Sequence, residues 1–174
     1  MNKFETQPLV STWLIAGEHN RSLHTVMREL ASRHEAPRFI PHITMRAIQV
    51  PLDRVGETRG VVKSIAQAFE PITLRVSGID YADNLFQSVF LKFEESPELK
   101  KLHETIERGL KEYGDYSFEP HLGLLYKVLP EEEKKRLIST IQLPSDITFD
   151  RLGINVHLDE KKRMEIENWR IEIL

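Results

Sequence analysis

Apolar and polar residues recur along this chain with two different periods, and each change of period marks a new element. Thr12-Trp13-Leu14-Ile15-Ala16 is a short apolar run closed by Gly17, which predicts a buried strand. From Ser22 to Arg33, Leu23, Val26, Met27 and Leu30 recur at spacings of three and four, one face of a helix with Asn20 as its N-cap. Ala36-Pro37 ends that helix. Phe39 to Val50 predicts a strand. Proline inside a strand is confined to edges, first positions and bulges, so Pro41 places His42 at a strand start or an irregular edge. Leu52 to Phe69 has helical period, with Gly56 and Gly60 weakening its first turns. Ile72 to Ile79 and Phe86 to Phe93 alternate as strands across a turn at Asp83-Asn84. Ser96-Pro97-Glu98 supplies an N-cap, a first-turn proline and a favourable carboxylate for a helix to about Tyr113, and Gly114 stops it. A strand from His121 to Val128 and a helix from Pro130 to about Ile141 follow. The chain ends with a strand from Ile147 to Val156, a charged turn at Asp159-Glu160-Lys161-Lys162 and a closing strand from Met164 to Leu174.

The order of elements repeats, and so do residues. Phe39-Ile40-Pro41-His42-Ile43-Thr44-Met45 returns as Phe118-Glu119-Pro120-His121-Leu122-Gly123-Leu124, 79 residues later. Leu23-His24 and Leu102-His103 keep the same offset, and Ile72-Thr73-Leu74 with Gly78-Ile79 returns as Ile147-Thr148-Phe149 with Gly153-Ile154 at an offset of 75. The chain therefore predicts one unit used twice. We expect a single two-lobed domain over residues 1–174, with pseudo-repeats at about 10–93 and 87–174. Its class is α+β: two antiparallel-rich sheets facing a central cleft, with helices outside.

Composition narrows the picture only slightly. At 174 residues the chain buries roughly 70% of its unfolded surface without staples. Having no cysteine excludes disulfides and thiolate chemistry. Met1 to Pro8 lacks the apolar run of a signal peptide and no stretch is long enough to span a membrane, so a cytoplasmic monomer without membrane contact is expected. The net charge of −3 argues against a long nucleic-acid partner and suits a small anionic ligand better. Arg28, Arg33, His34 and Arg38 lead into the first motif, as a solvated helix face or as one rim of a cleft.

The repeated histidine carries the chemistry. Residues i and i+2 of a strand share a face, so His42 projects with Thr44 and His121 with Gly123. If the halves pack about an approximate twofold, the two imidazoles meet across one cleft. One can then take a proton from an attacking water while the other gives one to a leaving oxygen. A hydroxyl two residues on can donate to a phosphoryl oxygen. His24 and His103 sit on helices, where packing explains them. Neither motif has a second histidine or carboxylate in ligand spacing apart from Glu119, which points off the His121 face, so no metal and no cofactor are expected.

The two motifs resemble those of the two-histidine phosphoesterase superfamily, in its cyclic phosphodiesterase-like branch, related to the 2′-5′ RNA ligase family. Leu85 to Leu91, Leu124-Leu125-Tyr126, Glu131 to Lys135 and Glu167-Asn168-Trp169 are similar to that branch as well. The resemblance implies metal-independent opening of a cyclic phosphodiester on a small nucleotide, either ADP-ribose 1″,2″-cyclic phosphate or a nucleoside 2′,3′-cyclic phosphate. It implies His42 and His121 as the acid–base pair and Thr44 as a phosphate donor. Tyr126 would line the site, and Trp13 would either stack on a base or belong to the core.

Gly123 departs from the family pattern, which has Ser or Thr there. A lost hydrogen bond to a charged group costs about 1.5–3 kcal/mol, roughly 10–100-fold in rate. Gly123 alternatively lets a water or its own exposed backbone N–H supply that bond, or makes room for a bulkier substrate, and Gly123→Ser is expected to keep or raise activity on small cyclic phosphates. Two other functions fit the same residues: processing of RNA ends of the 2′-5′ RNA ligase type, and non-catalytic nucleotide binding.

Overall fold

The structure is a computed structural model and describes residues 7–174. The reading of residues 1–6 lies outside that range, and so do the side chains of Glu160 and Lys161 in the expected charged turn. In chain order the elements are β1 (Leu9–Ile15), α1 (Arg21–Arg33), β2 (His42–Gln49), α2 (Val55–Gln67) and β3 (Ile72–Asp80). Then come β4 (Val89–Phe93), α3 (Pro97–Gly109), β5 (His121–Leu125), α4 (Glu131–Thr140), β6 (Asp146–Phe149), β7 (Arg151–His157) and β8 (Ile171–Ile173). The strands hydrogen-bond in the order β6-β3-β4-β5-β2-β1-β7-β8, antiparallel throughout.

Two pairings show how the repeat is laid out in space. Ile43 on β2 faces Leu122 on β5, and Thr73 on β3 faces Thr148 on β6. Each pair joins residues that the repeat makes equivalent, as they must where a twofold axis passes. At the second crossing the two threonine hydroxyls lie 2.8 Å apart. The last strand of each half crosses to the other lobe: β3 pairs with β4, and β7 pairs with β1. Periodicity along a chain carries no information about such an exchange.

The alternation within strands sorts side chains onto two faces. Val10 and Leu14 of β1, Ile43 and Met45 of β2, Leu122 and Leu124 of β5, and Leu152 and Ile154 of β7 enter the core. They pack there against Leu23, Met27 and Leu30 of α1, Leu99, Leu102 and Ile106 of α3, Val62 of α2 and Leu137 of α4. Each such side chain contributes about 1.5–3 kcal/mol on full burial. The other face of the sheet is left for chemistry.

Several elements differ from expectation. Asn20 makes no side-chain cap. Its amide instead donates to the Gly17 and Thr148 carbonyls at 3.0 and 2.8 Å and accepts from Thr148 N–H, fastening the start of α1 to β6. The strand expected from 147 to 156 breaks at Asp150. The closing segment is strand only over Ile171–Ile173, after two short 3-10 turns. Its alternating polarity came from turns, not from a ladder. Ser96 does cap α3, accepting from Leu99 N–H at 3.2 Å. Arg46, fully buried, bonds the Glu107 carboxylate and the carbonyls of Leu110 and Gly114, locking the end of α3 onto β2. Gly114 takes φ = 90°, a conformation glycine adopts without cost.

Candidate functional site

His42 and His121 are each the first residue of a central strand, directly after a proline. Proline has no N–H to give a ladder, and although Pro41 O accepts from Ala16 N–H, the carbonyl just before each proline takes no backbone N–H among the described residues. In both motifs the histidine uses it: Nδ1 of His42 donates to Ile40 O at 2.7 Å, and Nδ1 of His121 to Glu119 O at 2.8 Å. With Nδ1 holding the proton, the neutral ring presents an unprotonated Nε2. Both rings line one cleft of about 240 Å³, with Thr44, Trp13 and Tyr126. That is several times the volume of a water.

The surroundings of the two rings match in register. Trp13 of β1 faces Thr44 and Phe90 of β4 faces Gly123, each after a one-residue slip that skips Met45 in one pair and Leu124 in the other. Such a bulge re-aims the side chains beside it. What the aromatic does differs, however. Trp13 lies flat on His42, with ring centroids 3.6 Å apart and planes 11° apart. Phe90 meets His121 edge-on, at 5.5 Å and 72°. His42 is therefore almost wholly buried, at 4% exposure, while His121 is half-buried. Burial pushes His42 down to about 4; the bond to Ile40 opposes that shift, and the nearby His121 charge adds to it. Trp13 itself is 3% exposed and occupies one ring face against His42.

Gly123 does not leave room for a larger substrate. A Cβ there would stand 2.5 Å from Cε1 of Tyr126 and 3.1 Å from its hydroxyl oxygen. The tyrosine ring is buried, stacked on Phe39 at 3.7 Å and 5°, with Phe86 against its edge at 5.3 Å. It cannot step aside cheaply, which reverses the expectation for Gly123→Ser. The Tyr126 hydroxyl thus lies over the position where the family pattern has a Ser or Thr side chain. Burial pushes its pKa well up, so it keeps its proton and can donate.

Other residues reach the cleft without having been singled out for it. Trp169, in the turn before β8, lies 5.2 Å from Trp13, 6.3 Å from His42, 5.9 Å from Tyr126 and 5.9 Å from His157. Its indole N–H donates to Arg163 O at 2.9 Å. The likeness at Glu167-Asn168-Trp169 was the one sequence signal for it. Phe86, Tyr116, His157, Arg163 and Ser11 also line the cleft, and among the described residues no Asp or Glu does. Arg28, Arg33, His34 and Arg38 are absent from its lining; Arg28 and Arg38 border a small separate hollow beside His24. His24 and His103 join helices to strands: His24 Nε2 donates to the Ala16 and Gly17 carbonyls at 3.2 and 3.1 Å. His103 Nδ1 donates to Met45 O at 3.2 Å, its ring stacked on Phe118. Among the described residues no three His, Asp or Glu side chains gather in a way that could hold a metal ion, and no helix is long and apolar enough to cross a membrane.

Residues 18–161 match the family described as the 2′-5′ RNA ligase superfamily. A cyclic phosphodiesterase of Arabidopsis thaliana is 30% identical over 126 residues, 72% of this chain and 68% of that protein. A Bacillus cytotoxicus protein described as a phosphoesterase is 26% identical over 133 residues, 75% of each chain. Among solved structures, Escherichia coli LigT in its apo form superposes with a TM-score of 0.61 at 15% identity, covering 97% of this chain and 95% of that one. LigT complexed with 3′-AMP gives 0.59 at 15% identity, over the same shares. Sequence match, shared fold and twin histidine motifs agree, and the chain belongs to the 2′-5′ RNA ligase superfamily of two-histidine phosphoesterases.

Proposed function

We propose that this protein hydrolyses a cyclic phosphodiester on a small nucleotide, with His42 and His121 as the acid–base pair and no metal ion. The observation that carries this reading is the matched placement of the two imidazoles. Each holds its Nδ1 proton on the carbonyl two residues upstream, and the two rings share a cleft that no Asp or Glu lines among the described residues. A cleft lined by histidines, hydroxyls and an arginine favours a phosphate diester, and the Arabidopsis relative is a cyclic phosphodiesterase.

His42, held neutral by burial, takes the base role in this scheme. Its Nε2 accepts a proton from water as the water oxygen bonds to phosphorus. The bond from phosphorus to one ring oxygen breaks, and that oxygen receives a proton from Nε2 of His121, whose other N–H stays on Glu119 O. Thr44 and the Tyr126 hydroxyl donate to the non-bridging oxygens, where charge accumulates. Phosphorus NMR of the protein in chelator, with 2′,3′-cyclic AMP and with ADP-ribose 1″,2″-cyclic phosphate, tests the reading. Ring opening of either compound, lost in His42→Ala and in His121→Ala, is expected. A folded protein that opens neither would overturn it.

A further inference from the structure

The two histidines and Thr44 account for one part of the cleft; a second part is built differently. Arg163 lines it, with its guanidinium laid over the Phe86 ring at 5.2 Å. Arg46, Arg54, Arg59, Arg75 and Arg151 each pair with a carboxylate. Arg163 pairs with none among the described residues. Stacking on an aromatic face leaves the N–H groups around the guanidinium's edge available to a ligand. Beside it, His157 is fixed by the Asn155 amide 3.0 Å from Nε2, and its Nδ1 has no protein partner among the described residues. Ser11, buried on β1, also lines this part, and its hydroxyl likewise has no protein partner among the described residues.

We propose that Arg163, with His157 and Ser11, forms a second anion subsite that takes a phosphate of the substrate other than the cyclic one. The inference rests on the hydrolase reading above and narrows its substrate class. His42 pairs with Ile15 and His157 with Leu9, at opposite ends of β1, and Trp169 lies against both rings at 6.3 and 5.9 Å, so this subsite is set apart from the reacting phosphate. An anion held there cannot be the phosphate under attack. It is a second group of the same molecule, such as a 5′-phosphate or a pyrophosphate. The preferred substrate is then a cyclic phosphate with a further phosphate on the same nucleotide. A plain nucleoside 2′,3′-cyclic phosphate leaves the guanidinium unpaired.

Adenosine 2′,3′-cyclic phosphate with and without a 5′-phosphate is the matched probe pair. Binding is read by calorimetry on the His121→Ala protein, where the ring stays closed, and turnover on the wild type. The 5′-phosphorylated compound is expected to bind about tenfold tighter or more, the usual worth of a charge-assisted hydrogen bond. Arg163→Gln should bring that ratio close to one, and Arg163→Lys should keep most of it, which separates charge from a packing role against Phe86. Equal affinity for the two compounds, or a preference that survives Arg163→Gln, would overturn the subsite. Preferential binding by a protein that also opens neither these compounds nor ADP-ribose 1″,2″-cyclic phosphate would support the subsite and overturn the hydrolase reading instead.

Discussion

The first-half motif and the second-half motif place the same residue at the same register and give it different neighbours. His42 lies under a flat tryptophan beside a threonine; His121 stands edge-on to a phenylalanine above a glycine. The backbone device is identical in both, a proline followed by a ring bonded to the carbonyl two residues upstream. The two imidazoles are equivalent in register, and two matched positions, Trp13 against Phe90 and Thr44 against Gly123, make them unequal. Burial under Trp13 keeps His42 neutral across the physiological range, which suits a base. In the second half the Tyr126 ring and hydroxyl fill the space that a side chain at position 123 would take, which is why only glycine fits there.

The comparison breaks most severely if either ring is removed. His42→Ala and His121→Ala should each lower kcat/KM by roughly 10²–10⁴-fold, the span of general acid–base catalysis, measured by phosphorus NMR on the folded proteins. Gly123→Ser comes next. The serine Cβ meets the packed Tyr126 ring, so kcat/KM should fall at least about tenfold, and stability by about 1–3 kcal/mol in urea unfolding. Gly123→Ser combined with Tyr126→Ala opens that space again and should be more active than Gly123→Ser alone. A single variant as active as wild type would show that the ring is not held in place.

Two pH experiments sharpen the contrast. If His42 is the base, the acid limb of kcat/KM should have its midpoint near pH 4. Trp13→Ala lets water reach the ring and should move that midpoint up towards 6.5, the unperturbed value for histidine. The same shift acts on folding. Below pH 6.5 the unfolded chain binds a proton at His42 that the folded chain refuses until about pH 4. Stability conferred by neutral His42 is therefore complete above pH 6.5 and is lost as pH falls to 4, by roughly 3 kcal/mol. His103 and His157, also pushed down by burial, act in the same direction. Urea midpoints across that window should fall less steeply in His42→Gln than in wild type.

Much of this was legible in the chain because duplication prints the same signal twice. One Pro-His strand start is a common accident, but two at matched places are not, and period-two alternation fixes which face each histidine takes. The exchange of final strands between lobes was not legible, since β3 and β7 read the same whichever partner they join. Nor was Trp169 as the centre of the cleft: its segment alternates like a strand, and only tertiary packing turns it inward. Arg163 and His157 lie in no repeat and no motif. Gly123 was legible as a missing hydroxyl, but its cause is a ring three residues on along the chain, which folds back over it through the bulge at Leu124.

Nitrogen-15 NMR titration of the histidine rings tests the inequality of the two motifs most directly. His42 should be a neutral Nδ1–H tautomer at pH 7 and take up its second proton only near pH 4, and the uncharged form of His121 should carry its proton on Nδ1 as well. A His42 that titrates near 6.5, or that carries its neutral proton on Nε2, would contradict the account.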